Sequence, residues 1–197
     1  MRHGHIELPA GIMVGSADYP LSEIGRKQAL YWHEQLKDLK FDRTFSSPLI
    51  RARQTAALIL NGRPDKEDGL EIWPELREIS LGRWEGLTKE SIISKDPHCW
   101  DRRGRDFLNI SPPGGESFAD LESRIRPVWE QILGLAGFGL SLLTVSHQAV
   151  IRVIMSKING EWPVIRFDLS WSHGVLIRLS VESQSAAGIE EIISPPL

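Results

Sequence analysis

Two histidines and two arginines stand at places in the sequence where strands are predicted to end. Arg2 and His3 precede Gly4 near the N-terminus, Arg51 lies in the first turns of a predicted helix, and His147 follows a short apolar run. In a parallel sheet, the loops beyond the carboxyl ends of the strands meet in one crevice, where ligands tend to bind. We therefore expect these four side chains to form one pocket.

A pocket of two guanidinium groups and two imidazoles suits a phosphate dianion. Arginine offers a rigid fork of donors for bidentate phosphate contacts, and the free N–H groups at a helix start also favour an anion. A neutral imidazole held by a backbone carbonyl can attack phosphorus, while a second imidazole donates to a non-bridging oxygen. The residue types therefore predict phosphoryl transfer, in which positioning and charge stabilisation supply most of the catalysis.

The proton for a leaving alkoxide commonly comes from a carboxyl group whose pKa is raised by burial. The segment Leu76–Gly86 contains two such groups: Glu78, which follows a predicted strand and precedes a glycine turn, and Glu85. Spacing alone does not choose between them. His173, just before a predicted strand, is a further candidate for the rim of the pocket.

The hydrophobic pattern alternates along the chain between helical and strand-like segments. Apolar positions three and four apart predict helices at 22–40, 47–60, 117–135 and 149–157. Short apolar runs predict strands at 41–45, 69–73, 140–146, 174–182 and 188–194. This alternation predicts an α/β fold, a three-layer α/β/α sandwich with a mostly parallel central sheet.

Local signals refine this prediction. Ser47 and Pro48 predict the N-cap and first turn of the second helix. Residues 95–113 contain three prolines and many charges, which predicts an irregular excursion outside the core. The sequence has no internal repeat and no linker rich in Pro, Gly or Ser, so we expect a single domain over residues 1–197.

Bulk composition limits the partners and the compartment. The net charge of −3 is spread without long like-charge blocks, which predicts neither a nucleic-acid partner nor a membrane surface. Cys99 is the only cysteine, and the sequence shows no apolar signal segment, so we expect a reducing, cytoplasmic location. His3 and His5 form a His-x-His pair, but no cluster with ligand spacing accompanies it, so no metal site is predicted.

These motifs together resemble the histidine phosphatase superfamily, whose other large branch is the cofactor-dependent phosphoglycerate mutases. The resemblance runs nearly end to end and rests on four segments in the family's order, at 2–4, 46–56, 76–86 and 145–147. It implies a phosphohistidine intermediate and no cofactor, and it favours Glu78 over Glu85. The site residues that it implies are the nucleophile His3, the proton donor Glu78 and the phosphate ligands Arg2, Arg51 and His147.

The sequence also departs from the family pattern. Family members usually begin with a central strand that ends in the Arg-His-Gly signature, whereas only Met1 precedes Arg2 here. We therefore expect a histidine phosphatase domain that lacks the usual first strand, with His3 on a frayed end if that strand is absent. Residues 8–10 offer no asparagine as a further phosphate donor, and Gln148 stands where glycine is common.

The resemblance also bears on the substrate. The mutase branch is similar to a longer chain whose added segments enclose a bisphosphorylated sugar acid, so hydrolysis is favoured over transfer. Segments 15–22 and 112–118 resemble the branch that includes α-ribazole phosphatase, which removes a 5′-phosphate in cobalamin synthesis. We expect a phosphomonoesterase for a small-molecule phosphate ester, with α-ribazole 5′-phosphate as one substrate to test. A silent phosphate-binding module, a mutase-type phosphotransferase and a homodimer stay open.

Overall fold

The computed structural model describes residues 1–62, 69–165, 171–183 and 186–196. Its centre is a parallel sheet of three strands, β1 (Arg43–Ser46), β2 (Leu70–Ile72) and β3 (Leu142–Val145), in the order β2-β1-β3. The register aligns Phe45 of β1 with Thr144 of β3. Helices pack against this sheet, so the predicted α/β fold with a mostly parallel central sheet is confirmed.

Helices are the commonest regular structure in the described chain. The described residues contain six α-helices: α1 (Glu23–Leu36), α2 (Ile50–Ile59), α3 (Lys89–Lys95), α4 (Pro97–Arg105), α5 (Phe118–Gly137) and α6 (Gln148–Ile158). The longest is α5, which begins with a capping box in which Ser117 and Asp120 satisfy each other's backbone N–H groups. None of the described helices is both long and apolar enough to cross a membrane.

Alternating side chains of β3 pack on opposite faces of the sheet. Leu143 and Val145 lie in an apolar cluster with side chains of α1 and α2, whereas Leu142 packs against a cluster that α5 supplies. The sheet is therefore covered on both faces. This explains why the neighbouring residues Leu142 and Leu143, which lie on opposite faces, are both apolar.

The segment 95–113, predicted as an irregular excursion, contains helix α4, so the prediction of irregular structure is wrong for that part. Asp96 caps α4 by accepting a hydrogen bond from the Cys99 N–H, and Pro97 occupies the first helical position. A proline there costs no hydrogen bond, because the first N–H groups of a helix have no partner within it. The prolines of this segment therefore lie at the start of the helix or after its end, and none of them breaks it.

Two helix ends also differ from their predictions. Helix α2 is capped by Leu49 and not by Ser47, whose hydroxyl lies 2.6 Å from His147 Nε2. Helix α1 ends at Leu36, before the predicted end at Lys40. Ser47, which local sequence predicts as a helix cap, instead contacts His147, a residue distant in the sequence.

The two C-terminal strands form a separate antiparallel pair, β4 (Leu176–Ser183) and β5 (Ala186–Ile193). The N-terminal residues lie between β3 and this pair. The Ser146 N–H donates to the Met1 carbonyl, the His3 N–H donates to the Ser146 carbonyl, and the Arg2 N–H donates to the Val175 carbonyl. This short stretch continues the parallel sheet by one bridge and ends at His3.

A close approach of two backbones holds the turn after His3. A Cβ built on Gly4 would lie 2.6 Å from the Gly25 carbonyl oxygen, and one built on Gly25 would lie 2.1 Å from the His5 carbonyl oxygen. Only glycine fits at either position. The Gly4 N–H also donates to Thr55 Oγ1 of α2, so the segment that carries His3 is held by contacts on two sides.

Candidate active site

The predicted convergence of histidines and arginines is present in the structure. The imidazole centroids of His3 and His147 lie 5.0 Å apart, and Arg51 Nε lies 3.2 Å from His3 Nε2. All three side chains are buried, with exposed fractions of 3% for His3, 1% for Arg51 and 0% for His147. Residues far apart in sequence therefore form one pocket at the carboxyl end of β1 and β3.

The hydrogen bonds of His3 determine which ring nitrogen can react. His3 Nδ1 lies 2.7 Å from the Gly4 carbonyl oxygen, which can only accept, so Nδ1 carries the proton. Nε2 then presents its lone pair to the pocket, where Arg51 Nε donates to it. Burial, together with the charges of Arg51 and Arg2, holds the His3 pKa well below its ordinary value. The ring is therefore neutral and nucleophilic at Nε2.

Arg51 is fixed by the loop that precedes α1. Its Nη1 donates to the Ala17 carbonyl at 2.6 Å, and its Nη2 donates to the Gly15 carbonyl at 2.9 Å. Glu85 holds the same loop, because its Oε1 accepts from both the N–H and the hydroxyl of Ser16 at 2.8 Å. Glu85 thus acts on the pocket through the loop that positions Arg51.

Arg2 reaches its place by contacts with the segment before β4. Its Nη1 donates to the Trp171 carbonyl, and its Nη2 lies 2.9 Å from His173 Nε2. Burial lowers the pKa of Arg2 to about 10, so the guanidinium stays charged at neutral pH. Its Nε is buried without a hydrogen-bond partner among the described residues, which leaves a donor for a bound group.

His147 lies two residues after the end of β3 and is the N-cap residue of α6. Its Nε2 lies 2.6 Å from the Ser47 hydroxyl, while its Nδ1 is buried with no partner in the described chain. Burial, followed by the neighbouring charges of His3 and Arg51, lowers the His147 pKa well below its ordinary value. The ring is therefore neutral, and its unpartnered nitrogen is available to a ligand.

Glu78 places a carboxyl group against the start of α6. Its carboxylate accepts from the N–H groups of Gln148 and Ala149, each at 3.1 Å, and from its neighbour Ile79 at 3.0 Å. Burial raises the pKa of Glu78 above its ordinary value, although Arg51 and Arg2 act in the opposite direction. Of the two carboxyl groups that the sequence left open, this one is coupled to both arginines.

His173 contributes a third imidazole to the pocket and not merely to its rim. Its centroid lies 5.5 Å from that of His3 and 5.2 Å from that of His5. Burial and the Arg2 charge lower its pKa to about 3. Sequence reasoning gave His173 as a candidate for the rim of the pocket. It missed the contact of Ser47 with His147, because the Ser47-Pro48 pair is locally typical of a helix start.

The assembled groups form a positively charged, partly desolvated pocket. Two guanidinium groups and two unpartnered donors can bind the oxygens of a dianion, and His3 Nε2 can take up a phosphoryl group. One buried carboxyl group of raised pKa can exchange a proton. Within the described ranges no group of three or more His, Cys, Asp or Glu side chains could hold a metal ion.

Comparisons with known proteins agree with this chemistry. The family model for the histidine phosphatase superfamily (branch 1) matches residues 1–188. The chain is 33% identical over 159 residues to the adenosylcobalamin/alpha-ribazole phosphatase of Salmonella typhimurium strain LT2, covering 80% of this chain and 77% of that protein. The alpha-ribazole phosphatase from Shigella flexneri superposes with a TM-score of 0.83 at 26% identity, covering 98% of this chain and 94% of that one.

The mutase branch is also represented among the relatives. A 2,3-bisphosphoglycerate-dependent phosphoglycerate mutase of Beijerinckia indica subsp. indica is 30% identical over 203 residues, covering 98% of this chain and 95% of the mutase. The expectation that a mutase is a longer chain is wrong for this relative, so length does not separate hydrolysis from transfer. The expectation of an enzyme of the histidine phosphatase type is confirmed. The chain belongs to the histidine phosphatase superfamily.

Proposed function

We propose that this protein hydrolyses a small-molecule phosphate monoester in two steps, through a phosphohistidine at Nε2 of His3. The observation that carries the proposal is the hydrogen bond from His3 Nδ1 to the Gly4 carbonyl, which leaves Nε2 as the reactive nitrogen. In the first step, Nε2 attacks phosphorus and the bond to the ester oxygen breaks. In the second step, water attacks phosphorus, the N–P bond breaks and phosphate leaves.

Arg2, Arg51 and His147 hold the three non-bridging oxygens in this proposal. Arg51 Nε, which donates to His3 Nε2, gives this hydrogen bond to a phosphate oxygen when the ester binds. The Ser47 hydroxyl donates to His147 Nε2, which keeps the proton of this ring on the unpartnered Nδ1. Nδ1 then donates to the second oxygen, and Arg2 contacts the third.

Glu78 is the proposed proton donor to the leaving oxygen. Burial raises its pKa, which favours the protonated acid, while Glu85 is committed to the loop at Ser16. In the first step Glu78 gives its proton to the ester oxygen. In the second step its carboxylate takes a proton from the attacking water, so the acid is restored.

Relatives support the proposed substrate class. Those with phosphatase names include the adenosylcobalamin/alpha-ribazole phosphatase of Salmonella typhimurium, and we propose α-ribazole 5′-phosphate as the first ester to test. A mutase function has support in the relative from Beijerinckia indica. The single domain over 1–197, the cytoplasmic location and the absence of a nucleic-acid partner stay predictions.

The deciding experiment is to trap and remove the intermediate. Stopped in base, the wild-type protein should carry an acid-labile phosphoryl group after exposure to an aryl phosphate, and His3→Ala should carry none and show no turnover. His98→Ala is the matched control, because His98 is exposed on α4. Turnover by His3→Ala at the wild-type rate refutes the proposal.

The same assay separates the alternatives. A silent binding module is stabilised against unfolding by phosphate or vanadate but shows no turnover of any ester. A mutase loads His3 from a bisphosphorylated donor and passes the group to a second acceptor faster than to water. Turnover of α-ribazole 5′-phosphate that exceeds transfer to any acceptor supports the phosphatase.

A further inference from the structure

The backbone that leads to Glu78 is held by side-chain donors. Four consecutive carbonyls, of residues 75–78, each accept a hydrogen bond from a side chain: Ser146 Oγ donates to the second of them at 2.8 Å, and Arg124 donates to the other three. This stretch begins with a single turn of 3-10 helix, Pro74–Leu76, and continues with extended backbone. Backbone groups outside a regular ladder need other partners, so these side chains fix the course of the chain up to Glu78.

Arg124, in α5, is the main donor to this stretch. Its Nη1 donates to the carbonyls of Glu75 and Arg77, the latter at 3.1 Å, and its Nη2 donates to the Glu78 carbonyl at 3.4 Å. Its Nε and Nη2 also donate to the two carboxylate oxygens of Glu116, at 2.8 and 2.9 Å. The side chains of Arg124 and Glu116 are only 12% and 15% exposed, so this ion pair is not a solvated surface pair.

Glu116 holds the chain on the other side of Glu78. Its Oε2 accepts from the Ser80 N–H at 2.9 Å, and its own N–H donates to the Ser80 carbonyl at 2.8 Å. Burial acts to raise the pKa of Glu116, but hydrogen bonds from Arg124 and from the Ser80 N–H hold this pKa below its ordinary value, so the carboxylate is ionised at neutral pH. The pair Arg124–Glu116, here termed the α5 clamp, therefore fastens the backbone both before and after Glu78.

The α5 clamp stands on a firmly held part of the fold. The capping box at Ser117 follows Glu116 directly and satisfies free N–H groups of the first helical turn. Arg124 lies about two turns further along the helix. Leu121 and Ile125, on either side of it in sequence, are 0% and 1% exposed, which shows that this part of α5 is packed into the core. The guanidinium group therefore approaches the Glu78 segment from a fixed base.

Arg124 has no donor left for a bound ligand. A guanidinium group carries five N–H bonds, and the five contacts of Arg124 supply one acceptor for each: one at Nε and two at each Nη. Burial is the main cause of the low pKa of His147, and the charge of Arg124 contributes to it, so Arg124 stands within electrostatic reach of the pocket. The group thus acts on the protein backbone beside the pocket and not on a substrate.

We propose that Arg124, together with Glu116, is a positioning residue for Glu78, whose carboxyl group the α5 clamp aims at the leaving oxygen. The inference rests on the proposed function, in which Glu78 is the proton donor. The Glu78 carboxylate lies 3.1 Å from the N–H groups of Gln148 and Ala149, and a shift of the clamped backbone moves it from this place. A general acid must lie within hydrogen-bond reach of the atom that it protonates. Loss of the clamp therefore impairs protonation of the leaving group more than attack on phosphorus.

The test compares two arginines of α5 with two classes of ester. Arg124→Gln should lower kcat for an alkyl phosphate by about tenfold or more, and for an aryl phosphate by less than about threefold, because the alkoxide depends more strongly on the acid. Arg126→Gln is the matched control, since it also removes an arginine from an ion pair, and its partner Glu122 keeps a contact with Lys157. The control should leave both rates unchanged. Equal fractional losses for the two esters in Arg124→Gln contradict the proposal, because a general structural effect lowers both.

A second variant keeps the test decisive if Arg124→Gln does not fold. Removal of one partner from a largely buried ion pair is strongly destabilising, because it leaves the other charge unpaired. Arg124→Gln combined with Glu116→Gln removes both charges and keeps an amide oxygen for the Ser80 N–H. This double variant should show the same selective loss with the alkyl ester. A double variant that folds and hydrolyses both esters at the wild-type rates overturns the proposal.

Hydrogen exchange follows the position of the Glu78 carboxylate without hydrolysis. The N–H groups of Gln148 and Ala149 stand at the start of α6, where a helix offers them no internal partner, and Glu78 is their acceptor. In the folded Arg124 variants these two N–H groups should exchange about threefold faster or more, while that of Leu121 in the core of α5 keeps its rate. Unchanged exchange at Gln148 and Ala149 means that the clamp does not hold the carboxylate, and the inference is then wrong.

Glu78→Gln separates failure of this inference from failure of the proposed function. If this variant loses both rates equally, Glu78 is not the proton donor, and the catalytic purpose of the α5 clamp falls with it. If Glu78→Gln affects mainly the alkyl ester but the folded Arg124 variants do not, the proposed function stands and the inference alone is refuted.

Discussion

Arg51 Nε donates to His3 Nε2 across 3.2 Å, so the most constrained cation of the pocket faces the nitrogen that is proposed to attack phosphorus. Arg51 is itself held by the carbonyls of Gly15 and Ala17. A ligand oxygen placed between these two residues meets a donor already oriented. Contacts within the chain therefore hold both groups in place, in contrast to the expectation of a frayed end at His3.

Replacement of this arginine should weaken catalysis strongly. Arg51→Gln should lower kcat/KM for an aryl phosphate by about 100-fold or more, because one preorganised donor to the transition state is lost. Arg53→Gln is the matched control on the same helix, since Arg53 is exposed, and it should change kcat/KM by less than about twofold. Steady-state kinetics of both variants measure the difference. An equal loss in the two variants contradicts the assignment of Arg51.

Substitutions of the two carboxyl groups of segment 76–86 should differ in how their effect on the rate depends on the leaving group of the ester. Glu78→Gln should slow hydrolysis of an alkyl phosphate by about 100-fold, because an alkoxide needs a proton, and should affect an aryl phosphate much less. Because the acid must be protonated, wild-type kcat/KM for the alkyl ester should fall as pH rises through the raised pKa of Glu78. Glu85→Gln should instead lower Tm by loosening the loop at Ser16, with the same fractional loss of rate for both esters.

Stability should fall on the acid side because of the buried imidazoles. The pKa values of His3 and His147 in the folded chain lie well below the ordinary value of 6.5. The unfolded chain therefore takes up protons below about pH 6.5 that the folded chain does not, and stability is complete above this pH and is lost below it. Each of the two imidazoles lowers the free energy of unfolding by at most about 1.4 kcal/mol for each pH unit of acidification.

Thermal unfolding between pH 7.5 and pH 5 tests this expectation. His147→Gln should reduce the fall in Tm across this range by a few degrees, roughly as one titrating group requires. The exposed His98 provides the control, because His98→Gln should leave the slope unchanged. A slope in His147→Gln identical to that of the wild type means that His147 does not stay neutral in the fold.

His173 should act through Arg2. Its Nε2 lies 2.9 Å from Arg2 Nη2 and accepts a hydrogen bond there, so His173→Ala removes one of the two anchors of this guanidinium seen among the described residues, the other being the Trp171 carbonyl. We expect vanadate binding to weaken by about tenfold with a smaller change in kcat, which is the pattern of lost ligand positioning. His173→Asn restores an acceptor and should recover part of the affinity. A variant with unchanged vanadate affinity excludes this role.

Local sequence signals predicted most of the elements, since each depends on neighbours in the chain. The period of apolar residues located α5 and α6, and the run at 140–146 located β3. The same reasoning failed for α4, where Asp96 and Pro97 begin a helix inside a segment rich in prolines. The prolines and charges of that segment predicted irregular structure, and the two-residue helix start at Asp96 and Pro97 was not recognised.

The sequence by itself determined the residue types of the pocket, the strand ends at which they stand and the family to which the chain belongs. Only the tertiary structure decided that His3 Nε2 faces Arg51 and that the His173 ring lies beside that of His3. It also decided that Glu78 is held at the start of α6, whereas Glu85 binds the loop at Ser16. The physical reason is that these properties depend on hydrogen bonds and burial between segments far apart in the chain, as between Ser47 and His147. Local sequence patterns do not predict such contacts, because the contacts form only when strands and helices pack together.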